Sequence, residues 1–281
     1  EIGNQGANDL GYQNLSDLWF SKYDMPSDEF LMETDRVWEE VKPLYEALHC
    51  HVRAKLNEHY GDEIVSNSNP LPVHMLGNMW GQSWSNIYDL VYPKQDEIST
   101  VNLTKIIEER NLSEIDMVEY AEDFFISIGF EALPETFWER SLFVKPVDRS
   151  VVCHASAWNL DPANNDLRIK MCIEKNEEDF ITIHHELGHI FYYQAYNHLP
   201  TLFQGGANDG FHEAFGDLLT LSITPEYLKK IDFINQEEAD LAEEDFIGLL
   251  MKQALEGVVI IPWALMLDKW RAGIFKGDIT E

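Results

Sequence analysis

The sequence predicts a mainly α-helical fold with one small antiparallel sheet. Apolar residues recur at helical spacing over long stretches, as in Val37, Trp38, Val41, Leu44, Tyr45, Leu48, Val52 and Leu56. Leu167 to Ile173 instead alternates apolar and polar, and pairs across the loop Asn159–Asp166 with the apolar run Val151 to Trp158. Turn-rich links punctuate the helices, the clearest being 62–72 with Asn67, Asn69, Pro70 and Pro72.

Taken in order, residues 1–24 predict a loop and then a short helix, anchored by Tyr12, Trp19, Phe20 and Tyr23. Pro26 and Ser27 open a long helix that Gly61 ends, and Pro43 inside it predicts a kink or break. Leu76 to Tyr88 reads as a short aromatic-rich helix carrying Gln82. Two helices follow over 102–128, the second opened by Ser113 with Asp116 three residues on, a capping pair. Another short helix lies at Pro134 to Trp138, and Phe143-Val144 joins the strands. Glu177 starts a helix running to about Asn197, with Glu178 and Asp179 favouring its N-terminus and Pro200 following it. The Gly205–Gly210 loop then turns the chain into a helix holding Glu213. Pro225 opens a further short helix. Glu237 to Leu255 is helical, with Leu241, Phe246, Leu249, Leu250 and Leu255 facing inward. The apolar run Val258 to Leu267 is too short to cross a bilayer and contains Pro262, so it predicts a buried, kinked helix and no membrane-spanning segment.

With 281 residues the chain suits one large domain or two modest ones, with room for a core. Its 20 basic and 50 acidic residues, a formal net charge of −30, exclude nucleic acid and anionic membrane surfaces as partners. The same field favours basic peptides and cations. Of the three cysteines, Cys153 and Cys172 flank the predicted hairpin, either as a disulfide or as two buried thiols. Sequons at Asn14, Asn102 and Asn111 add to a secreted or extracellular reading. The chain begins at Glu1 with no signal peptide in view, so the true N-terminus is expected elsewhere.

The chemistry concentrates in Ile183 to His189, whose core is H-E-x-x-H. On a helix His185 and His189 lie one turn apart on one face and can reach one metal ion, with Glu186 beside it as a general base. Catalytic zinc wants a third protein ligand, and Glu213 on the next helix supplies it. Asp217, one turn beyond, can accept the free ring N–H of a ligating histidine. His184 and His212 neighbour the ligands but point elsewhere, in structural or supporting roles. Gln82 and His154, on their residues alone, read as structural.

The segments HHELGH and GANDGFHEAFGD, with CHASAW upstream, together resemble the angiotensin-converting enzyme family of zinc peptidyl-dipeptidases, over nearly the whole chain from Trp19 to Asp278. The resemblance implies a zincin-like peptidase domain of the gluzincin type, its sheet edging the cleft. One Zn2+ would sit on His185, His189 and Glu213, with Glu186 as base and Asp217 behind His185. It implies the Cys153–Cys172 disulfide, leaving Cys50 unpaired and buried on a helix. For substrate it implies His154 near the cleaved bond and the backbone of Ala155 and Ala157 as a ladder for an added peptide strand. Asp179 and Thr182 would face the pocket of the leaving residues, and Gln82 the substrate's C-terminal carboxylate, which favours dipeptide release over single-residue release.

The implied activity is a zinc metallopeptidase releasing C-terminal dipeptides from oligopeptides. The alternative is a non-catalytic homologue acting as a peptide-binding or receptor-like module, against which the intact Glu186 argues. Thr182 stands where relatives often carry Val, and Asp209 where Pro is common. Phe20 replaces an Arg that helps bind chloride, which argues against chloride activation. The Lys, His and Tyr donors that stabilise the family's intermediate have no counterpart after Glu213. Residues 1–281 therefore read as a partial catalytic domain, shortened at both ends, expected to bind zinc but to cleave poorly alone. The full-length protein is expected outside the cell, secreted or membrane-anchored.

Overall fold

The computed structural model describes residues 1–77, 79–92, 102–208, 210–244 and 246–280, without the side chains of 243, 244 and 246. The Asp209 replacement and the inward side chain of Phe246 lie outside the described residues. The chain divides into two compact units, Glu1–Thr100 with Ala242–Glu281, and Val101–Leu241. Both are helical, and among the described residues the one sheet is the two-stranded hairpin of the second unit.

The first unit opens with α1 (Ile2–Asp9), where the sequence predicted a loop, then α2 (Leu15–Phe20) and α3 (Ser27–Tyr60). Helix α3 runs unbroken through Pro43, so of the expected kink or break there is no break. The carbonyl that Pro43 leaves without a donor belongs to the exposed Glu39, so water can satisfy it. Only the C-terminal half of the α3 stripe is buried, at Leu48, Val52 and Leu56; Val37 and Leu44 are exposed. Cys50 is a free thiol on the exposed face, not a buried one. No helix forms over Leu76 to Ile87 among the described residues beyond a 3-10 turn at Ser85–Ile87, leading into α4 (Tyr88–Val91). Gly77 and Gly81 adopt φ of +76° and +61°, outside helical space.

The second unit begins with α5 (Leu103–Glu109) and α6 (Glu114–Ser127), the latter opened by the predicted Ser113–Asp116 capping box. Helix α7 (Glu135–Arg140) leads to the hairpin β1 (Ser156–Asp161) and β2 (Asp166–Lys170). The pairing register puts Ala157 opposite Ile169 and Ser156 opposite Lys170, with an irregularity between Asn159 and Asp161. The strand thus starts at Ser156; Val151 to Ala155, His154 included, precedes it. The far edge of β2 is covered by Leu142 and Phe143, whose backbone exchanges hydrogen bonds with Ile169, Met171 and Ile173. Beyond β1 no strand pairs among the described residues, so its outer edge carries free backbone groups.

Helix α8 (Glu177–Tyr196) is the axis of this unit, and α6, the hairpin and α9 (Phe211–Thr220) all pack on it. Its Phe180, Ile183, Leu187, Ile190 and Phe191 are fully buried, and Phe191 stacks on Phe125 of α6 at 4.3 Å. Burying such a side chain contributes roughly 1.5–3 kcal/mol, so α8 is held firmly by its apolar face while the opposite face carries the polar motif. Helices α10 (Pro225–Lys230) and α11 (Gln236–Glu244) follow, then α12 (Phe246–Gly257) and α13 (Ile260–Lys276) in the first unit. Leu255 is fully buried, but Leu241 and Leu250 are exposed, against expectation. Helix α13 is not a buried, kinked helix: Ile260, Met266 and Trp270 are exposed, and Pro262 stands in the first turn, where no N–H is needed. By length and composition alone, Ile247–Lys276 is apolar enough to cross a membrane, where the shorter run Val258 to Leu267 predicted no such segment. Core helices of soluble proteins pass the same test.

Candidate metal centre

Helix α8 is set at its start by Asn176, whose side chain accepts from the Asp179 N–H at 2.8 Å, while the Asp179 carboxylate accepts from the Glu174 N–H at 2.6 Å. From there the 3.6-residue repeat brings His185 and His189 onto one face. Their Nε2 atoms stand 3.1 Å apart. Glu213 of α9 closes the group, its Oε2 3.3 Å from His185 Nε2 and its Oε1 3.8 Å from His189 Nε2. One ligand atom from each of the three lies within 4.8 Å of the others. Zinc arms of about 2.0–2.1 Å in tetrahedral array give edges of about 3.3 Å, so this donor set fits one zinc ion.

Two glycines make that approach possible. A Cβ on Gly188 would lie 2.9 Å from the Gly216 Cα, and one on Gly216 would lie 2.8 Å from His185 Nδ1. Neither was singled out from the sequence. The available signal was a pair of glycines inside helices, each weakening its helix by about 1 kcal/mol relative to Ala and so requiring a packing reason.

Around the ligands, His185 Nδ1 donates to Asp217 Oδ1 at 3.0 Å. His189 Nδ1 lies 3.3 Å from His212 Nδ1, and His212 Nε2 lies 3.0 Å from the Tyr196 hydroxyl. His184 is fully buried, with Nδ1 donating to the Phe180 carbonyl at 2.8 Å. Burial lowers its pKa to about 4, so it is neutral and structural.

Charge in the metal-free cluster is tightly set. Burial pulls the His185 imidazolium down, but hydrogen bonds to Asp217 and Glu213 outweigh it and raise its pKa to about 10. His189, at the same carboxylate, is lowered, because burial and its charged neighbour His185 outweigh Glu213. One proton is thus held on the ligand pair, at His185. Glu213 is lowered by its bond to His185. Glu186 is buried, and burial pushes its pKa up to about 7, with Glu213 adding and His185 opposing. Among the described residues its Oε2 has no hydrogen-bond partner.

The residues predicted to touch substrate are dispersed. Ala155 and Ala157 pack on the core at the hairpin, and His154 is exposed just before β1. The Asp179 carboxylate is engaged at the helix start, and the Thr182 hydroxyl donates to the Glu178 carbonyl at 2.9 Å. Gln82 belongs to the first unit, where its Oε1 is buried with no partner among the described residues. The Cys153–Cys172 disulfide is present. Of the sequon residues, Asn102 and Asn111 are exposed, whereas Asn14 is buried. It is 9% exposed and caps α2, its Oδ1 accepting from the Asp17 N–H while its Nδ2 donates to the Asp17 carboxylate.

An H-E-x-x-H helix completed by a carboxylate from its neighbour, in a mainly helical protein, defines a candidate metal-dependent hydrolase centre. A family model described as angiotensin-converting enzyme, peptidase family M2, matches residues 1–281. The chain is 43% identical over its whole length to angiotensin-converting enzyme of Bos taurus, covering 21% of that protein. It is 39% identical, also over its whole length, to that of Haematobia irritans exigua, covering 45%. With the enzyme of Theromyzon tessulatum it shares 40% identity over 99% of the chain and 44% of the relative. The chain belongs to the angiotensin-converting enzyme family, peptidase family M2, and spans less than half the length of these relatives.

Proposed function

We propose that this chain carries the zinc centre of a peptidyl-dipeptidase, an enzyme that removes C-terminal dipeptides from oligopeptides. The observation that carries the reading is the convergence of His185, His189 and Glu213 on one point, beside a buried glutamate with an unpartnered oxygen. His185 and His189, through Nε2, and Glu213, through its carboxylate, would hold one Zn2+. When bound, the ion polarises the scissile carbonyl and makes water acidic enough to ionise near neutrality. Glu186 is the general base: its carboxylate takes the proton of the attacking water and passes it to the leaving amine. Asp217 keeps the proton of His185 on Nδ1 and so presents Nε2 inward.

The free edge of β1 binds the peptide backbone around Ala155 and Ala157, with His154 nearby. Asp179 and Thr182 border the leaving dipeptide. Phe20 argues against a chloride requirement. The disulfide and the exposed sequons at Asn102 and Asn111 support an extracellular setting, secreted or anchored.

The test is hydrolysis of an N-blocked fluorogenic tripeptide by a longer form of the protein that contains residues 1–281 and by its Glu186→Gln variant, with zinc content measured on both. The expected result is a dipeptide product, zinc in both proteins, and a rate about a thousandfold lower in the variant. Chelator-resistant cleavage, single-residue release, or an active Glu186→Gln protein overturns the reading. A zinc-loaded wild type that binds peptides without cleaving them replaces it with the receptor-like alternative.

A further inference from the structure

We propose that His212 and Tyr196 form a hydrogen-bonded pair whose task is to fix the ring and tautomer of His189. The inference rests on the zinc reading above. The two histidine ligands are supported differently: His185 has a carboxylate behind it, whereas His189 meets the imidazole of His212 at 3.3 Å. The chemistry assigns every proton in that chain. His189 Nε2 faces the other ligand atoms, so it must be bare to bind a cation, and its Nδ1 carries the hydrogen. His212 Nδ1 is then the acceptor, its own hydrogen sits on Nε2, and that N–H donates to the Tyr196 oxygen at 3.0 Å. All three groups are neutral, and the direction of donation runs outward from the metal.

The setting is built for this. The rings of Tyr192 and Tyr193 lie 4.5 and 4.7 Å from the His212 ring and restrict its tilt. A Cβ on Gly206 would crowd His212 Cδ2 at 3.2 Å. Tyr196 is buried at the last turn of α8, and His212 immediately precedes the ligand Glu213. The pair therefore ties the second histidine ligand to the segment that delivers the third. His212 and Tyr196 are positioning residues, acting through His189.

The deciding comparison is His212→Leu against His212→Asn. Both lose the ring and its packing, but Asn keeps an acceptor near the position of Nδ1. Zinc affinity is measured by chelator competition, and the visible spectrum of the Co2+-substituted protein reports ligand geometry. Expected are about a 10–100-fold weaker affinity and an altered Co2+ spectrum in His212→Leu, with most of the affinity and the spectrum kept in His212→Asn. Tyr196→Phe, which removes only the terminal oxygen, is expected to weaken zinc a few-fold and to speed its release. Equal behaviour of the Leu and Asn variants, or wild-type zinc retention in Tyr196→Phe, overturns the assignment. A wild-type protein that binds no zinc overturns the zinc reading itself and this inference with it.

Discussion

Replacing Gly216 by Ala tests the geometry of the centre directly. The new methyl carbon would stand 2.8 Å from His185 Nδ1, 3.0 Å from Cε1 and 3.1 Å from Cγ. Non-bonded carbon contacts settle near 3.5 Å, so the imidazole must retreat by about 0.7 Å or α9 must lift off α8 by as much. Either response stretches the 3.0 Å bond from His185 Nδ1 to Asp217 to roughly 3.6 Å, beyond useful hydrogen-bond range. Stability responds weakly, because about 1 kcal/mol of helix propensity gained by Ala offsets part of an overpacking cost of about 1–3 kcal/mol. Metal affinity has no such compensation. Loss of the supporting bond alone is worth about 10–100-fold, on the order of 1.4–2.8 kcal/mol, with ligand displacement in addition. The assay is zinc competition against a chromophoric chelator, with Gly205→Ala, which has no neighbour within 4 Å, as the control. A Gly216→Ala protein that binds zinc within twofold of wild type would falsify the argument.

Zinc uptake near pH 7.5 should release about one proton per ion, because His185 holds one up to about pH 10 in the metal-free chain; calorimetry in buffers of differing ionisation enthalpy counts it, and Asp217→Asn should lower the count. That raised pKa also stabilises the metal-free fold below the unfolded value of about 6.5, a contribution lost as pH rises towards 10 and visible in melting curves. Asp166 is held at about 2 by its bonds to Arg168 and Arg140, so its contribution is present above about pH 4 and disappears as pH falls through 2. The Asp166→Asn protein should lack that acid-side loss, read by thermal melts from pH 5 to 2. Asn14→Gln should lower stability by about 1 kcal/mol through its lost cap, read by thermal melts.

What could be read in advance was local. His185, Glu186 and His189 follow from helical spacing, Ser113 with Asp116 from capping chemistry, and the start of α8 at Glu177 from its acidic first turn. Glu213 and Asp217 were reachable because each lies one turn from the other on the next helix. The misses share a different cause. Whether Pro43 breaks α3 depends on what surrounds the Glu39 carbonyl, and whether Cys50 is buried depends on which face of α3 finds a partner. Neither is encoded within a few residues. The stretch around Gln82 looked helical by its aromatics, but Gly77 and Gly81 take positive φ there. The His189–His212 contact required the loop after α8 to return at one particular angle, which no short pattern specifies.

The outer side of β1 has a second implication. Trp158 and Leu160 stand exposed on one face of β1, about half open to solvent, and among the described residues no strand pairs along its outer edge. Such a border accepts any extended polypeptide, including the same border of another molecule. Ligand and self-association are therefore rivals for one row of amides, and a concentrated sample should scatter less light once a tight-binding peptide is added.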